Sequence, residues 1–482
     1  MFHPPTLALP RKGGGKFWSA PAKITSPSTG EVGAKRRVGV SRRLHGRALA
    51  IAAFFLLVAG LPWPAEATKI TRVKSPGGIE AWLVSEPSIP MLSMEVVWRG
   101  GSALDPMGRE GLAEVAAAVL DEGAGEYDSQ AFQTRLDDRA IELRFSADRD
   151  FFRANIRTLS EHRGEALRLL NLAMTAPRFD AEPLERIRRQ IQVRITRNAD
   201  DPDAIAGRTW YSTAFPNHPY GRRPDGSGQS IAAIAAAALR GFAARRLARD
   251  NMVAGVVGDI SAADLGPLLD STFGALPAKS EPVAVPAREP AARKDPLVVQ
   301  KNIPQSVVIF GGPGIRRDDP DWYAAFILNY VLGGGGFASR LTEEVREKRG
   351  LAYSVHSYLQ PMESSALHMG GVATRNDRVA ESLDLIRAEY RRLREKGLTA
   401  EELANAKNFL TGSFPLRLSS NARIAGMLVQ IQLQNLGIDY IERYASYIES
   451  VTLEQVNRVA RRHFDPDKLL IVVVGQPHGL GG

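Results

Sequence analysis

Two segments close on the same run of residue types: ARRLARDNMVAGVVG at 244–258 and ARRHFDPDKLLIVVVG at 460–475. In each, an Arg-rich helix end leads into an apolar, β-branched run that stops at glycine, the pattern of a strand covered on both faces. Upstream of each, the same elements recur in the same order. An apolar strand comes first, Met94–Trp98 and Ser306–Phe310. An Ala/Leu-rich helix follows, 111–120 and 322–332, and then long amphipathic helices such as 185–197 and 379–396. Between the two series lies PAKSEPVAVPAREPAARKDP, residues 277–296, whose five prolines fix φ and remove donors, so that it reads as an extended connector. It divides the chain into 68–276 and 297–482. Strands mixed with helix pairs, without regular βαβ alternation, predict an α+β fold: two homologous halves of helices packed on mostly antiparallel sheets, joined by a Pro-rich linker.

The net charge of +9 suggests nucleic acid until it is located. Residues 1–67 hold ten Lys/Arg against Glu31 and Glu66, which leaves 52 basic and 51 acidic residues for the remainder. The basic character belongs to a leader, and nucleic-acid binding loses its support. Arg42, Arg43 and Arg47 precede an apolar run at 48–61, followed by Pro62-Trp63-Pro64 and Ala65-Glu66-Ala67. A basic region, a short apolar region and an A-x-A site predict a signal peptide cleaved after Ala67, hence a periplasmic or secreted protein with no stable membrane span. Arg42-Arg43 leaves the twin-arginine route open beside the general one. The aperiodic, Pro/Gly/Lys/Arg-rich stretch 1–40 reads as a start assigned too early, with initiation nearer Val38 or Val40.

No cysteine is present, which excludes disulfides, Cys-ligated metals and a thiol nucleophile. GxxxxGK[ST], GxSxG, GxGxxG and HExxH are all absent. The eight histidines include no pair one helical turn apart, so no mononuclear zinc site can be read from them. Acidic pairs such as Asp121/Glu122 and Asp200/Asp201 read as solvated or helix-capping positions. The informative constellation is LGGGGFASRLTEEVREKRGLAYSV, residues 332–355. Gly333, Gly334, Gly335 and Gly336 end a helix and offer a backbone without Cβ atoms to an extended peptide or a neighbouring chain. Residues 341–349 read as a helix stopped by Gly350, with Arg346 near its end and Tyr353 on the strand beyond. A guanidinium fork beside a phenol suits gripping carbonyl or carboxylate oxygens. On spacing alone, a flexible turn, a surface Arg and a core Tyr fit somewhat better.

This stretch, together with HPYGRRPDGSGQSI at 218–231 and DDP at 200–202, resembles the pitrilysin-like (M16) metallopeptidases over nearly all of 68–482. The resemblance implies two halves of the M16/LuxS-like metallohydrolase type, and it maps the family's Arg and Tyr onto Arg346 and Tyr353. GREGLAEVAAAVLDEGA at 108–124 falls where active members carry HxxEH, but the five positions here are Glu114, Val115, Ala116, Ala117 and Ala118. Both histidines are missing, and Ala117 replaces the general-base Glu. The third ligand falls near Val193–Ile195, where no carboxylate occurs. Glu114 alone cannot hold zinc and reads as solvated or salt-bridged. The resemblance therefore implies the zinc-less subunit of a heterodimeric peptidase, with no cofactor in this chain and zinc in an HxxEH-bearing partner. Arg346, Tyr353 and Gly333–Gly336 would then bind the substrate, a peptide or small unfolded protein. The other reading is an inactive scaffold or peptide-binding clamp.

Overall fold

The computed structural model describes residues 69–282 and 284–480. The leader, its apolar run at 48–61 and the cleavage point after Ala67 lie outside the described residues. The first sheet contains β1 (Thr71–Lys74), β2 (Glu80–Ser85), β3 (Met91–Arg99), β4 (Glu142–Ala147), β5 (Phe151–Leu159) and β6 (Met252–Gly258). Its helices are α1 (Leu112–Val119), α2 (Ser129–Asp138), α3 (Arg163–Thr175), α4 (Ala181–Asp200), α5 (Pro202–Ala214), α6 (Gly228–Ala232), α7 (Ala236–Arg246) and α8 (Ala262–Phe273). The second half supplies β7 (Leu297–Gln300), β8 (Gln305–Pro313), α9 (Trp322–Asn329), β9 (Ala352–Pro361) and β10 (Ala366–Arg375). It continues through α10 (Val379–Lys396), α11 (Ala400–Gly412), α12 (Asn421–Leu433), α13 (Tyr440–Glu449), α14 (Leu453–His463) and β11 (Leu470–Gly475).

The strand orders are β1-β2-β6-β3-β5-β4 and β7-β11-β8-β10-β9. With β1 set aside, the two orders are the same. In each, one parallel pair (β2 with β6, β7 with β11) interrupts an otherwise antiparallel ladder. The duplicated α+β architecture expected from the repeated segments is therefore present.

The two halves exchange helices. α5 starts where the Asp201 side chain accepts the Ala204 amide at 2.9 Å, with Pro202 in its first turn. Its Ala206, Trp210 and Ala214 lie against Leu470, Val472 and Val474 of β11 in the other half. The Trp210 indole N–H donates to the Leu470 carbonyl at 3.0 Å. α12 makes the reciprocal contact. Ile424, Ala425 and Leu428 pack on Val84 and Val257, and Val429 and Leu433 pack on Val97. Gln432 Nε2 donates to the Ala254 carbonyl at 2.9 Å. At Gly255 a Cβ would lie 2.5 Å from the Ala425 carbonyl oxygen, so glycine is what lets α12 press onto β6. Each sheet is thus covered by its own helices on one face and by a borrowed helix on the other. That is why β6 and β11 carry uninterrupted apolar runs.

The Pro-rich stretch contains no helix or strand among its described residues and is fastened on both sides. Ala291 N–H donates to Ala214 O at 2.8 Å, and Arg288 N–H to Ser364 O at 3.0 Å. His218 Nε2 meets Pro286 O at 2.9 Å. Nearby, the Tyr220 hydroxyl donates to Asp150 Oδ1 at 2.5 Å, and Glu363 N–H donates to Asp150 Oδ2 at 3.2 Å. The Tyr220 hydroxyl oxygen in turn accepts Ser364 N–H at 3.0 Å, which ties the β9–β10 turn to the first half.

Trp210→Ala should destabilise the chain by about 3–5 kcal/mol, because it empties a fully buried site between the halves. Urea denaturation followed by tryptophan fluorescence and circular dichroism should still give one transition; two separated transitions would refute the interlock. A second expectation concerns Asp150, whose carboxyl burial pushes up to about 6, against the lowering effect of the Tyr220 and Glu363 hydrogen bonds. Its folded value exceeds the unfolded one, so the folded chain gains stability as pH falls from about 7 toward 4 and loses it as pH rises through 6. Relative to Asp150→Asn, the parent should gain about 2 kcal/mol between pH 8 and pH 4.5, measured by denaturant melts at each pH.

Candidate functional site

The α winding of α9 stops at Asn329, and the coil that continues it ends within the glycines, with Gly335 as its cap. This coil is a π turn over Tyr330–Gly334, and a second π segment spans Thr342–Glu347. The expected plain helix over 341–349 is therefore replaced by a wider coil, a form that recurs at functional positions. Gly350 still ends it, at φ +61°. Beneath the first π turn lies a buried polar network. Ser357 Oγ donates to Asn329 Oδ1 at 2.8 Å, and Asn329 Nδ2 donates to Ser357 O at 3.3 Å. His368 Nε2 meets Asn329 Oδ1 at 3.1 Å, and the Tyr390 hydroxyl meets His368 Nδ1 at 3.2 Å. Burial pushes the His368 imidazole down to about 3, so it is neutral. Its partners then assign the proton to Nε2, since Asn329 Oδ1 can only accept and the Tyr390 hydroxyl can donate to Nδ1.

The four glycines do different work. A Cβ at Gly333 would lie 2.5 Å from Ser357 Oγ, one at Gly334 2.7 Å from Asn329 Nδ2, and one at Gly335 2.8 Å from Tyr330 O. The chain's own packing therefore explains these three. Gly336 has φ +58° and open space around it, and it alone of the four offers a Cβ-free approach from outside. The loop is closed by Arg340, which is buried and forks onto both Glu402 oxygens at 2.7 Å.

Arg346 and Tyr353 come together as expected, with a third member that sequence reasoning missed. The Arg346 guanidinium lies 4.5 Å from the Phe337 ring centroid and 5.2 Å from that of Tyr353. Phe337 is 71% and Tyr353 84% exposed, so Tyr353 is no core residue. The only ion-pair partner of Arg346 among the described residues is its neighbour Glu347, at 3.4 Å. A guanidinium held between two rings by cation–π attraction keeps its donor edge available. The available signal for Phe337 was an aromatic residue directly after a glycine run.

At the degenerate metal position, Ala117 is buried and Ala118 packs on the first-half core. Glu114 is salt-bridged: Arg194 Nη2 of α4 lies 2.6 Å from its Oε1. The structure thus joins residue 114 to the stretch where the third ligand was sought, and that stretch presents a guanidinium. Next to it, Glu122 pairs with Arg186 at 2.5 Å. Asp121 is half-buried rather than solvated, and burial pushes its carboxyl up to about 6. Among the described residues no three His, Asp or Glu side chains are grouped to hold a metal. A zinc ion needs three protein ligands; one carboxylate already neutralised by arginine does not fit it.

Residues 233–410 match the family model described as "Peptidase M16 inactive domain". The chain is 28% identical over 389 residues to "Non-peptidase homolog YmxG" of Helicobacter pylori, covering 80% of this chain and 89% of that protein. A crystal structure of a peptidase M16 inactive domain from Pseudomonas fluorescens superposes with a TM-score of 0.80 at 30% identity, over 86% of this chain and 99% of that one. The periplasmic protease PqqL of Escherichia coli shares the fold, with a TM-score of 0.71 at 17% identity; 85% of this chain matches 46% of that one.

Gly333→Ala should cost several times more stability than Gly336→Ala. The first forces Ser357 off its network, whereas the second meets only the roughly 1 kcal/mol of left-handed backbone strain. Thermal melts of the two variants would check this, and equal losses would contradict the assigned roles.

Proposed function

Because the chain belongs to the peptidase M16 family and an arginine stands among its degenerate ligand positions, we propose that it is the non-catalytic subunit of an exported heterodimeric zinc peptidase. The observation that carries the reading is a contrast between the halves. The degenerate metal position is closed by the Glu114–Arg194 ion pair, while Tyr353 stays exposed and the half-buried Arg346 has only its neighbour Glu347 as an ion-pair partner among the described residues. An HxxEH-bearing partner supplies the zinc, whose Lewis acidity activates water and polarises the scissile carbonyl. From this chain, Arg346 donates to a carbonyl or carboxylate oxygen of the bound peptide, and the Tyr353 hydroxyl donates to the same group or its neighbour. Phe337 holds the guanidinium in place, and Gly336 admits the peptide backbone.

Export rests on the leader reading, with cleavage after Ala67, and the similarity to a periplasmic protease agrees with it. No helix among the described residues is long and apolar enough to cross a membrane. Residues 68–276 and 297–482 serve as the two M16-type units, with 277–296 as their strap.

Affinity capture of the tagged full chain from its native envelope fraction tests this reading. A near-stoichiometric HxxEH chain and chelator-sensitive peptide hydrolysis are expected. Arg346→Ala and Tyr353→Phe should lower kcat/KM of the complex by about 10–100-fold with co-purification unchanged. Full activity in both variants would remove their assigned roles. Capture with no hydrolysis would favour the scaffold.

A further inference from the structure

α4 carries a second feature that the proposed peptidase role does not use. Arg186, Arg189, Gln190, Val193, Arg194 and Arg197 line one shallow groove along it. The spacing is helical, so these side chains share a face. Two of the arginines are tied down by carboxylates of the first half, Arg186 by Glu122 and Arg194 by Glu114. Arg189 and Arg197 are exposed and have no ion pair or side-chain hydrogen bond among the described residues. Midway between them Val193 is 68% exposed, an apolar side chain bracketed by unanswered positive charge.

We propose that this face binds an extended acidic peptide segment in which two carboxylates flank one apolar residue. The geometry specifies the register. Arg189, Val193 and Arg197 are spaced four residues apart, so the outer two are about 12 Å apart along the helix axis. In an extended peptide, residues i, i+2 and i+4 point to one side, and i and i+4 are about 13 Å apart. A Glu-x-Leu-x-Glu segment therefore sets one carboxylate over each free guanidinium and its leucine over Val193. Arg186 and Arg194 add positive potential and apolar stems alongside. Guanidinium–carboxylate forks supply the orientation, and burial of Val193 supplies a contact that a polyanion without apolar side chains does not make. The site shares Arg194 with the ion pair used in the accessory-subunit reading, but its free arginines, Arg189 and Arg197, have no part in that reading, and its test reads no hydrolysis.

The full chain would be titrated with peptides carrying a neutral fluorophore, with binding followed by anisotropy at about 50 and 300 mM salt. The peptides are Gly-flanked Glu-Ser-Leu-Ser-Glu, the out-of-register Glu-Glu-Leu-Ser-Ser, and Lys-Ser-Leu-Ser-Lys. The in-register peptide should bind about tenfold more tightly than the shifted one, and the lysine peptide should not bind. Arg189→Glu with Arg197→Glu should weaken the in-register peptide by tenfold or more while the thermal midpoint stays unchanged, since neither side chain is bonded to another among the described residues. The basic leader is common to parent and variant, so their difference reads the α4 face alone. Equal affinity for the two acidic peptides, or an unchanged affinity in the variant, overturns the proposal. A poly-dT oligonucleotide or an anionic vesicle that loses binding in the variant, while the peptide does not, overturns it in favour of another polyanion.

Discussion

The exchange of α5 and α12 between the halves is the constraint on which the rest of the molecule depends. Each central strand, β6 and β11, is covered on both faces, and on one of them the cover comes from the opposite half. Pulling the halves apart would expose both apolar faces at once and break the Trp210–Leu470 and Gln432–Ala254 hydrogen bonds. Exposure of that much apolar surface carries a free-energy cost that no single substrate contact repays. The two halves therefore behave as one rigid leaf. If a chamber opens and closes around a peptide, the opening does not run between these two halves.

This interlock was only half legible in the sequence. The apolar runs at 252–258 and 470–475 announced strands buried on both faces, and the repeated order of elements announced the duplication. Nothing in Ala206, Trp210 and Ala214, or in Ile424, Ala425 and Leu428, says which sheet they will cover. An amphipathic stripe records that a face is buried but not against what. The partners of α5 lie some 260 residues downstream in the chain, as Trp210 and Leu470 show, and local periodicity carries no information over that separation.

The glycine-rich segment shows a different limit. Its residue types marked it as special, and the pairing of Arg346 with Tyr353 followed from the helix–turn–strand reading. The wider π winding did not, because it is bound up with tertiary contacts, with Ser357 seated where a Cβ at Gly333 would clash and Asn329 where one at Gly334 would. Phe337 was overlooked for a related reason. Its value lies in standing under Arg346, nine residues on, across a loop whose course only the folded chain defines.

The degenerate metal position shows how one positive charge replaces another without keeping its chemistry. Glu114 on α1 requires a counter-charge, and Arg194 supplies it from α4, clasping the two helices at 2.6 Å. Ala117 and Ala118 withdraw into the apolar packing beneath. A guanidinium balances a carboxylate and can brace two helices, yet it has no vacant coordination position. It therefore cannot bind water as a ligand and lower its pKa in the way a metal ion does. The first half keeps the mechanical effect of the clasp and gives up the means of making a nucleophile. In the second half the proposed donors to an oxyanion are Arg346 and Tyr353, whose guanidinium and ring lie 5.2 Å apart. Such donors accelerate a reaction only where a nucleophile is delivered to the same carbonyl, and the Glu114–Arg194 clasp does not deliver one.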